Sequence, residues 1–183
     1  MRGDARRIAW CAALALAACA GVTEDTARYD LGPAGPGKGP GAVEVQVGAP
    51  AWLDGTGIAY RLAYDDASRV RSYAHSRWAA PPAQLLAARL RQLLAGPGPD
   101  APARSLRVEL EEFSQVFDSQ QQSHVLVQVR ATLLAGGQGT REFVAQHPAG
   151  ADAAGAVHGM QAAVAQLASD IQGWLDGAAR ASP

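Results

Sequence analysis

A chain of 183 residues, 48% of them hydrophobic and with a formal charge of −1, is long enough for one domain with a core of its own. Sixteen basic against 17 acidic residues leave no basic surplus to make nucleic acid or an anionic membrane face the main partner. Its two cysteines, Cys11 and Cys19, both lie close to the N-terminus, which excludes a disulfide framework for the body of the chain.

The N-terminus reads as an export signal over residues 1–18. Arg2, Arg6 and Arg7 form a positive flank, and Ile8 through Ala18 form an uncharged apolar run. That run has the length of a signal-peptide core and is too short to span a bilayer as a helix. It ends in Leu16-Ala17-Ala18-Cys19, a lipobox: small residues let a peptidase seat the extended chain, and the Cys19 thiol accepts a diacylglyceryl group. Removing the signal takes away three arginines and Asp4, which leaves a formal charge of −3. Cys19 is then the only cysteine and is spent on lipid, so a catalytic cysteine is excluded. Residues 19–28 are expected to be the lipidated terminus and tether, and residues 29–179 the domain.

Tyr29-Asp30-Leu31 is expected to be a short first strand. The stretch from Gly32 to Gly41, GPAGPGKGPG, is too rich in Gly and Pro for a helix or central strand and reads as a loop. Val43, Val45 and Val47 alternate with Glu44 and Gln46, the pattern of a half-buried strand. A turn through Trp52 and Leu53 closes at Asp54-Gly55. Ile58, Tyr60, Leu62 and Tyr64 give a second alternating strand ended by Asp65-Asp66, and a third short strand covers Arg71 to Tyr73. Pro81-Pro82 opens a helix whose apolar residues are Leu86, Leu90, Leu93 and Leu94, stopped by Gly96-Pro97-Gly98-Pro99.

Leu106, Val108 and Leu110 alternate with Arg107 and Glu109. At Glu111-Glu112 the parity shifts, and Phe113 and Phe117 continue on the new phase, as across a β-bulge. Val125, Val127, Val129, Ala131 and Leu133 form a long strand with His124, Gln128, Arg130 and Thr132 opposite. Gly136-Gly137 turns the chain into a strand from Arg141 to Gln146, with Phe143 and Ala145 inward, which completes an antiparallel meander. A C-terminal helix starts near Asp152, and Val157, Met160, Val164, Leu167, Ile171 and Trp174 form one apolar stripe suited to covering a sheet. The predicted fold class is α+β: a mainly antiparallel sheet with two helices packed on one face.

Little of this points to catalysis. Gly32 to Lys38 has P-loop spacing, but Gly39 stands where Ser or Thr would hold magnesium, and Pro33 and Pro36 lack the N–H donors a phosphate needs. His75, His124, His147 and His158 have no metal-ligand spacing, so no metal or cofactor is expected. No G-x-S-x-G elbow is present. Glu111 and Glu112 would point to opposite faces of a regular strand; only a bulge would bring them together and leave a glycosidase reading open. In Tyr73-Ala74-His75-Ser76-Arg77-Trp78, Arg77 can stack on an aromatic platform. Trp78 either seals the core or serves as a partner-binding anchor.

Ile58-Ala59-Tyr60-Arg61, then Tyr73, Arg77-Trp78 and Pro82 with its leucine-bearing helix, resemble the ABC-type transport auxiliary lipoprotein family. These are the PqiC-like proteins that accompany MCE-type lipid transport systems. LRVELEEFSQVF from Leu106 to Phe117, the strand from Ser123 to Leu133, and the helix end Gln172-Gly173-Trp174-Leu175 are similar to the family as well.

The resemblance implies a non-enzymatic periplasmic lipoprotein anchored to the outer membrane of a Gram-negative bacterium. It also implies work with an MCE-domain protein, its permease and its ATPase in moving lipids between the two membranes. Ala20 stands after Cys19 where an aspartate would favour retention in the inner membrane. Cys19 is the residue carried over, as the lipidation site; Tyr60, Arg77 and Trp78 match family positions and are candidate partner-binding residues. A ring of identical subunits that receives the tip of a periplasm-spanning assembly is the expected form, closed through strand edges such as Tyr29–Leu31 or Val43–Val47. Two rival readings are a lipoprotein regulator of a cell-wall synthase and a periplasmic hydrolase acting through Glu111, Glu112 or a histidine.

Overall fold

The alternating valines, leucines and phenylalanines of the second half line one face of a long hairpin meander, and the rest of the molecule is built against it. A computed structural model describes residues 25–33, 35, 37, 39, 43–96, 104–135 and 139–181. The signal segment 1–18, Cys19, Lys38 and the Gly136-Gly137 turn lie outside the described residues, as do the first residues of the tether. In chain order the elements are β1 (Ala27–Tyr29), β2 (Val43–Gly48), a 3₁₀ turn (Ala51–Leu53), β3 (Gly57–Leu62), the one-turn helix α1 (Ala63–Asp66) and β4 (Ala67–Trp78). They continue with α2 (Pro82–Leu94), β5 (Arg104–Phe117), β6 (Ser123–Ala135), β7 (Gly139–Ala149) and α3 (Ala153–Ala181).

The architecture is α+β, as the patterning predicts: a mainly antiparallel seven-stranded sheet in the order β1-β4-β3-β5-β6-β7, with β2 beside β5. The β5–β6, β6–β7 and β3–β4 pairs are antiparallel. Three parallel pairings accompany them. β2 pairs along the first half of β5 from Val43↔Arg104 to Gly48↔Glu109, and β3 pairs along its last residues from Tyr60↔Gln115 to Leu62↔Phe117. The chain thus uses one edge of β5 twice, leaving it between Gly48 and Gly57 through the 3₁₀ turn. β1 pairs in parallel with the end of β4.

The predicted bulge is present: the β5–β6 register slips between Leu110 and Glu112. Before it Leu106, Val108 and Leu110 face inward, after it Phe113 and Phe117 do, and all are buried. On β6, Val125, Val127, Val129 and Ala131 are fully buried, because alternate side chains of a strand share one face. α2 and α3 cover that face. α2 opens on Pro81-Pro82, where a missing N–H is harmless, and buries Leu86, Leu90 and Leu94 at four-residue spacing. In α3 the stripe of Val157, Met160, Val164, Leu167 and Ile171 is buried. Asp152 caps it: its Oδ1 accepts from the Gly155 N–H at 2.6 Å.

Four boundaries differ from expectation. The first strand ends at Tyr29 instead of covering Tyr29–Leu31, and Leu31 drops into the core at 5% exposure. β3 stops at Leu62, so Tyr64 lies in α1 and is 47% exposed. The segment expected as a short strand at 71–73 is the 12-residue β4. It lies near the sheet margin with most residues exposed, so no inside–outside alternation marks its length. β7 extends past Arg141–Gln146 at both ends.

Two glycines of α3 give a test of this packing. A Cβ on Gly155 would lie 2.5 Å from the Gly150 Cα and carbonyl oxygen, whereas one on Gly173 meets nothing. Gly173→Ala is expected to raise stability by about 0.5–1 kcal/mol through helix propensity. Gly155→Ala is expected to lower it by about 1–3 kcal/mol, since backbone must move to admit the methyl; urea unfolding midpoints of the two variants check the opposite signs.

Candidate functional site

Of the residues singled out in the sequence, Trp78 lies deepest. It is 1% exposed, and its ring centroid is 5.6 Å from that of Phe113. Arg77 does not stack on it; its guanidinium turns back to the Tyr73 and Ser76 carbonyls of its own strand. Tyr60 is half-buried in an aromatic cluster, 4.9 Å from Tyr73 and 5.9 Å from Phe117 between centroids.

Beneath that cluster sits Gln115, fully buried. Its Oε1 accepts from the Tyr73 hydroxyl at 2.6 Å, and its Nε2 donates to Ser123 Oγ and to the Gly150 carbonyl, each at 2.7 Å. Ser123 Oγ in turn donates to the Ala149 carbonyl at 3.0 Å. A buried amide is tolerable only when its polar atoms are satisfied, and here its bonds join β4, β5, β6 and the approach to α3. Burial, helped by the nearby Asp152 charge, pushes the Tyr73 hydroxyl up to about 12.

The arginine–tryptophan stacking for which the sequence makes Arg77 a candidate exists on other residues. The Arg61 guanidinium carbon lies 5.2 Å from the Trp52 ring centroid, and Trp52 is 41% exposed. Arg61 also binds Glu112 at 2.9 Å, on the sheet face away from α2 and α3. Glu111 takes Arg130 at 3.1 Å and Gln128 at 2.9 Å, and Arg130 reaches on to Glu142 at 2.7 Å. The bulge therefore does bring Glu111 and Glu112 to one side, each engaged by an arginine in a ladder of ion pairs. Asp65 and Asp66 do turn chemistry: Asp65 pairs with Arg71, and hydrogen bonds from Ser68 hold the Asp66 carboxyl below the usual range.

The histidines are dispersed. His124 contacts Asp118 at 2.8 Å and His147 contacts Gln166 at 2.8 Å, while His158 lines a cleft with Arg28 and Gln161. Among the described residues no three His, Cys, Asp or Glu side chains are grouped to hold a metal.

The model of the ABC-type transport auxiliary lipoprotein component matches residues 29–172. The chain belongs to the ABC-type transport auxiliary lipoprotein family. Two solved structures share the fold. One is a Xanthomonas campestris protein of the DUF330 family, at 19% identity and a TM-score of 0.61, covering 82% of this chain and 91% of that one. The other is an uncharacterised protein at 18% identity and a TM-score of 0.62, covering 83% and 99%. No curated protein matches the sequence. As a member of this family the protein is an auxiliary lipoprotein of an ABC-type transport system in the bacterial envelope.

The reading of this transport-auxiliary chain from sequence passes over Gln115 and Arg89. Gln115 did carry a signal, as a polar residue on the core parity between Phe113 and Phe117. Arg89 carried one too, beside Leu86, Leu90 and Leu93 on the helix face that meets the sheet. Trp52 could not be separated from a turn residue, because its platform is formed by Arg61 of another element.

The Gln115 network predicts a late-ionising phenol. In absorbance titration at the tyrosinate band, Tyr73 should ionise near pH 12, and Tyr73→Phe should remove that last component. Because the folded value lies above that of the unfolded chain, the associated stability is complete below pH ~10 and is lost as pH rises toward 12. Gln115→Leu should destabilise by about 1–3 kcal/mol in denaturant unfolding, since it strips partners from Tyr73 and Ser123.

Proposed function

We propose that this protein is the docking component of an MCE-type lipid transport system, held at the periplasmic face of the outer membrane through lipidated Cys19. Family membership as a transport-auxiliary lipoprotein is the observation that carries this reading. One acyl chain binds a membrane marginally and two or more hold a protein stably, so an acylated Cys19 fixes the domain at a surface. The tether gives it reach. The role is adaptor rather than enzyme: the domain receives the MCE-domain protein, which connects it to a permease and an ATPase.

The contact surface best fitted to such a partner is the exposed Trp52 with Arg61 stacked on it and Glu112 behind. Exposed tryptophan and arginine are the side chains over-represented at the centres of interfaces. Tyr60 and Arg77, both partly exposed, lie at opposite ends of the β3–β4 pairing, Tyr60 beside Arg71 and Arg77 beside Gly57; both belong to the proposed contact, with Trp78 supporting it from the core. Copies of the chain arranged as a ring would present this surface repeatedly to one assembly. Strand edges remain available for closing such a ring: the outer side of β7, and β4 upstream of Ser76, where β1 pairing begins among the described residues.

In-cell crosslinking of the lipidated protein, with a photoreactive residue at position 52 and mass spectrometry of the captured species, tests both parts. Recovery of an MCE-domain protein is the expected result, and Trp52→Ala in a protein labelled at Tyr64 should reduce the yield by about tenfold, as for loss of an interface anchor. Capture of wall synthases alone would replace the transport reading with that of a synthase regulator. Recovery of the MCE protein at an undiminished yield from Trp52→Ala would keep the role and move the surface elsewhere.

A further inference from the structure

Arg89 is 9% exposed and sits on the inner side of α2. Buried charges are ordinarily paired with an opposite charge, because removing an ion from water is costly. Among the described residues Arg89 has no carboxylate partner. Its Nη2 donates instead to the backbone carbonyls of Leu31 and Gly32, two neutral acceptors just after β1.

Arg89 also lines a cleft of about 260 Å³ with Leu31, Pro33, Leu93, Gln161 and Ala165. Leu31, Pro33, Leu93 and Ala165 offer hydrocarbon; Arg89 offers charge and Gln161 an amide. The volume is just below the range for drug-sized ligands, so the cleft suits a small molecule. A second cleft shares Gln161 with it, but Asp30 lines that one together with Arg28 and His158. That carboxylate opposes an anion there, whereas among the described residues no acid lines the Arg89 cleft.

We propose that the Arg89 cleft, between α2, α3 and the residues Leu31, Gly32, Pro33 and Gly35, binds a small amphiphilic anion. A carboxylate or phosphate group would lie against Arg89 and Gln161, adding to the two carbonyl contacts the charge-assisted bonds an arginine favours. A short alkyl chain would lie on Leu31, Leu93 and Ala165. The site stands independently of the transport role, since it rests on the charge and shape of this cleft.

Equilibrium dialysis of octanoate against the full lipidated chain in nanodiscs, with empty nanodiscs as the blank, tests it. About one equivalent per chain should bind, and octyl phosphate should displace it at least about tenfold better than octanol or inorganic phosphate does. Arg89→Gln should weaken octanoate by at least about tenfold. Because Arg89 also holds Leu31 and Gly32, Ala165→Phe serves as a second variant: it fills the cleft from an exposed position of α3 and should weaken binding equally. The proposal is overturned if no octanoate binds above the blank, or if Ala165→Phe binds like the parent. It is also overturned if octanol competes as well as octyl phosphate, since charge would then play no part, or if inorganic phosphate does, since the alkyl wall would then play none.

Discussion

Everything in this fold is referred to β5. One of its edges is taken over nearly its whole length by β6, and the other is divided between two parallel partners, β2 on the first half and β3 on the last residues. A strand used in this way must present correct side chains to the helices before and after the point where its neighbours change. The slip between Leu110 and Glu112 meets that requirement: an extra residue moves the inward parity from Leu106, Val108 and Leu110 to Phe113 and Phe117. The same slip puts Glu111 and Glu112 on the outer face, where Arg130 and Arg61 take them. Core and outer ion-pair ladder are two results of one irregularity.

Two polar side chains fasten the chain in different ways. Near the C-terminal end of β5 the Gln115 network ties four parts of the chain with satisfied hydrogen bonds, directional contacts that specify one arrangement among several apolar ones. On α2, Arg89 holds the chain after β1 by its carbonyls, while the positive φ of Gly32, 70°, lets the backbone turn close to Gln161. The first fastening is closed; the second leaves a charge facing a cleft. That difference separates a structural polar cluster from a binding candidate.

The surface proposed for a partner follows from the same topology. Between its two pairings with β5 the chain leaves the sheet, and the excursion carries Leu53 into the core and Trp52 outward. Arg61 returns on β3 to lie against the indole and reach Glu112. An exposed tryptophan fixed by a neighbour has little conformational freedom left to lose on binding, which favours this patch as a contact.

The sequence by itself determined the α+β class, the bulge, both long helices with their buried stripes, the meander β5–β6–β7 and the family. The structural features are written in local periodicity, since a residue's own spacing from its neighbours decides which face it shares with them; the family rests on a resemblance in particular residues and their order. Only the tertiary structure decided what β2 and β3 pair with, how far β4 extends, which tryptophan is buried and which is stacked by arginine, and where Arg89 finds its acceptors. These depend on contacts between segments far apart in the chain, such as Arg61 with Glu112 and Arg89 with Leu31. An edge strand exposed on both sides, as β4 largely is, has no buried face to impose a pattern. Periodicity reports that a side chain is turned inward, and long-range packing alone settles what it meets there.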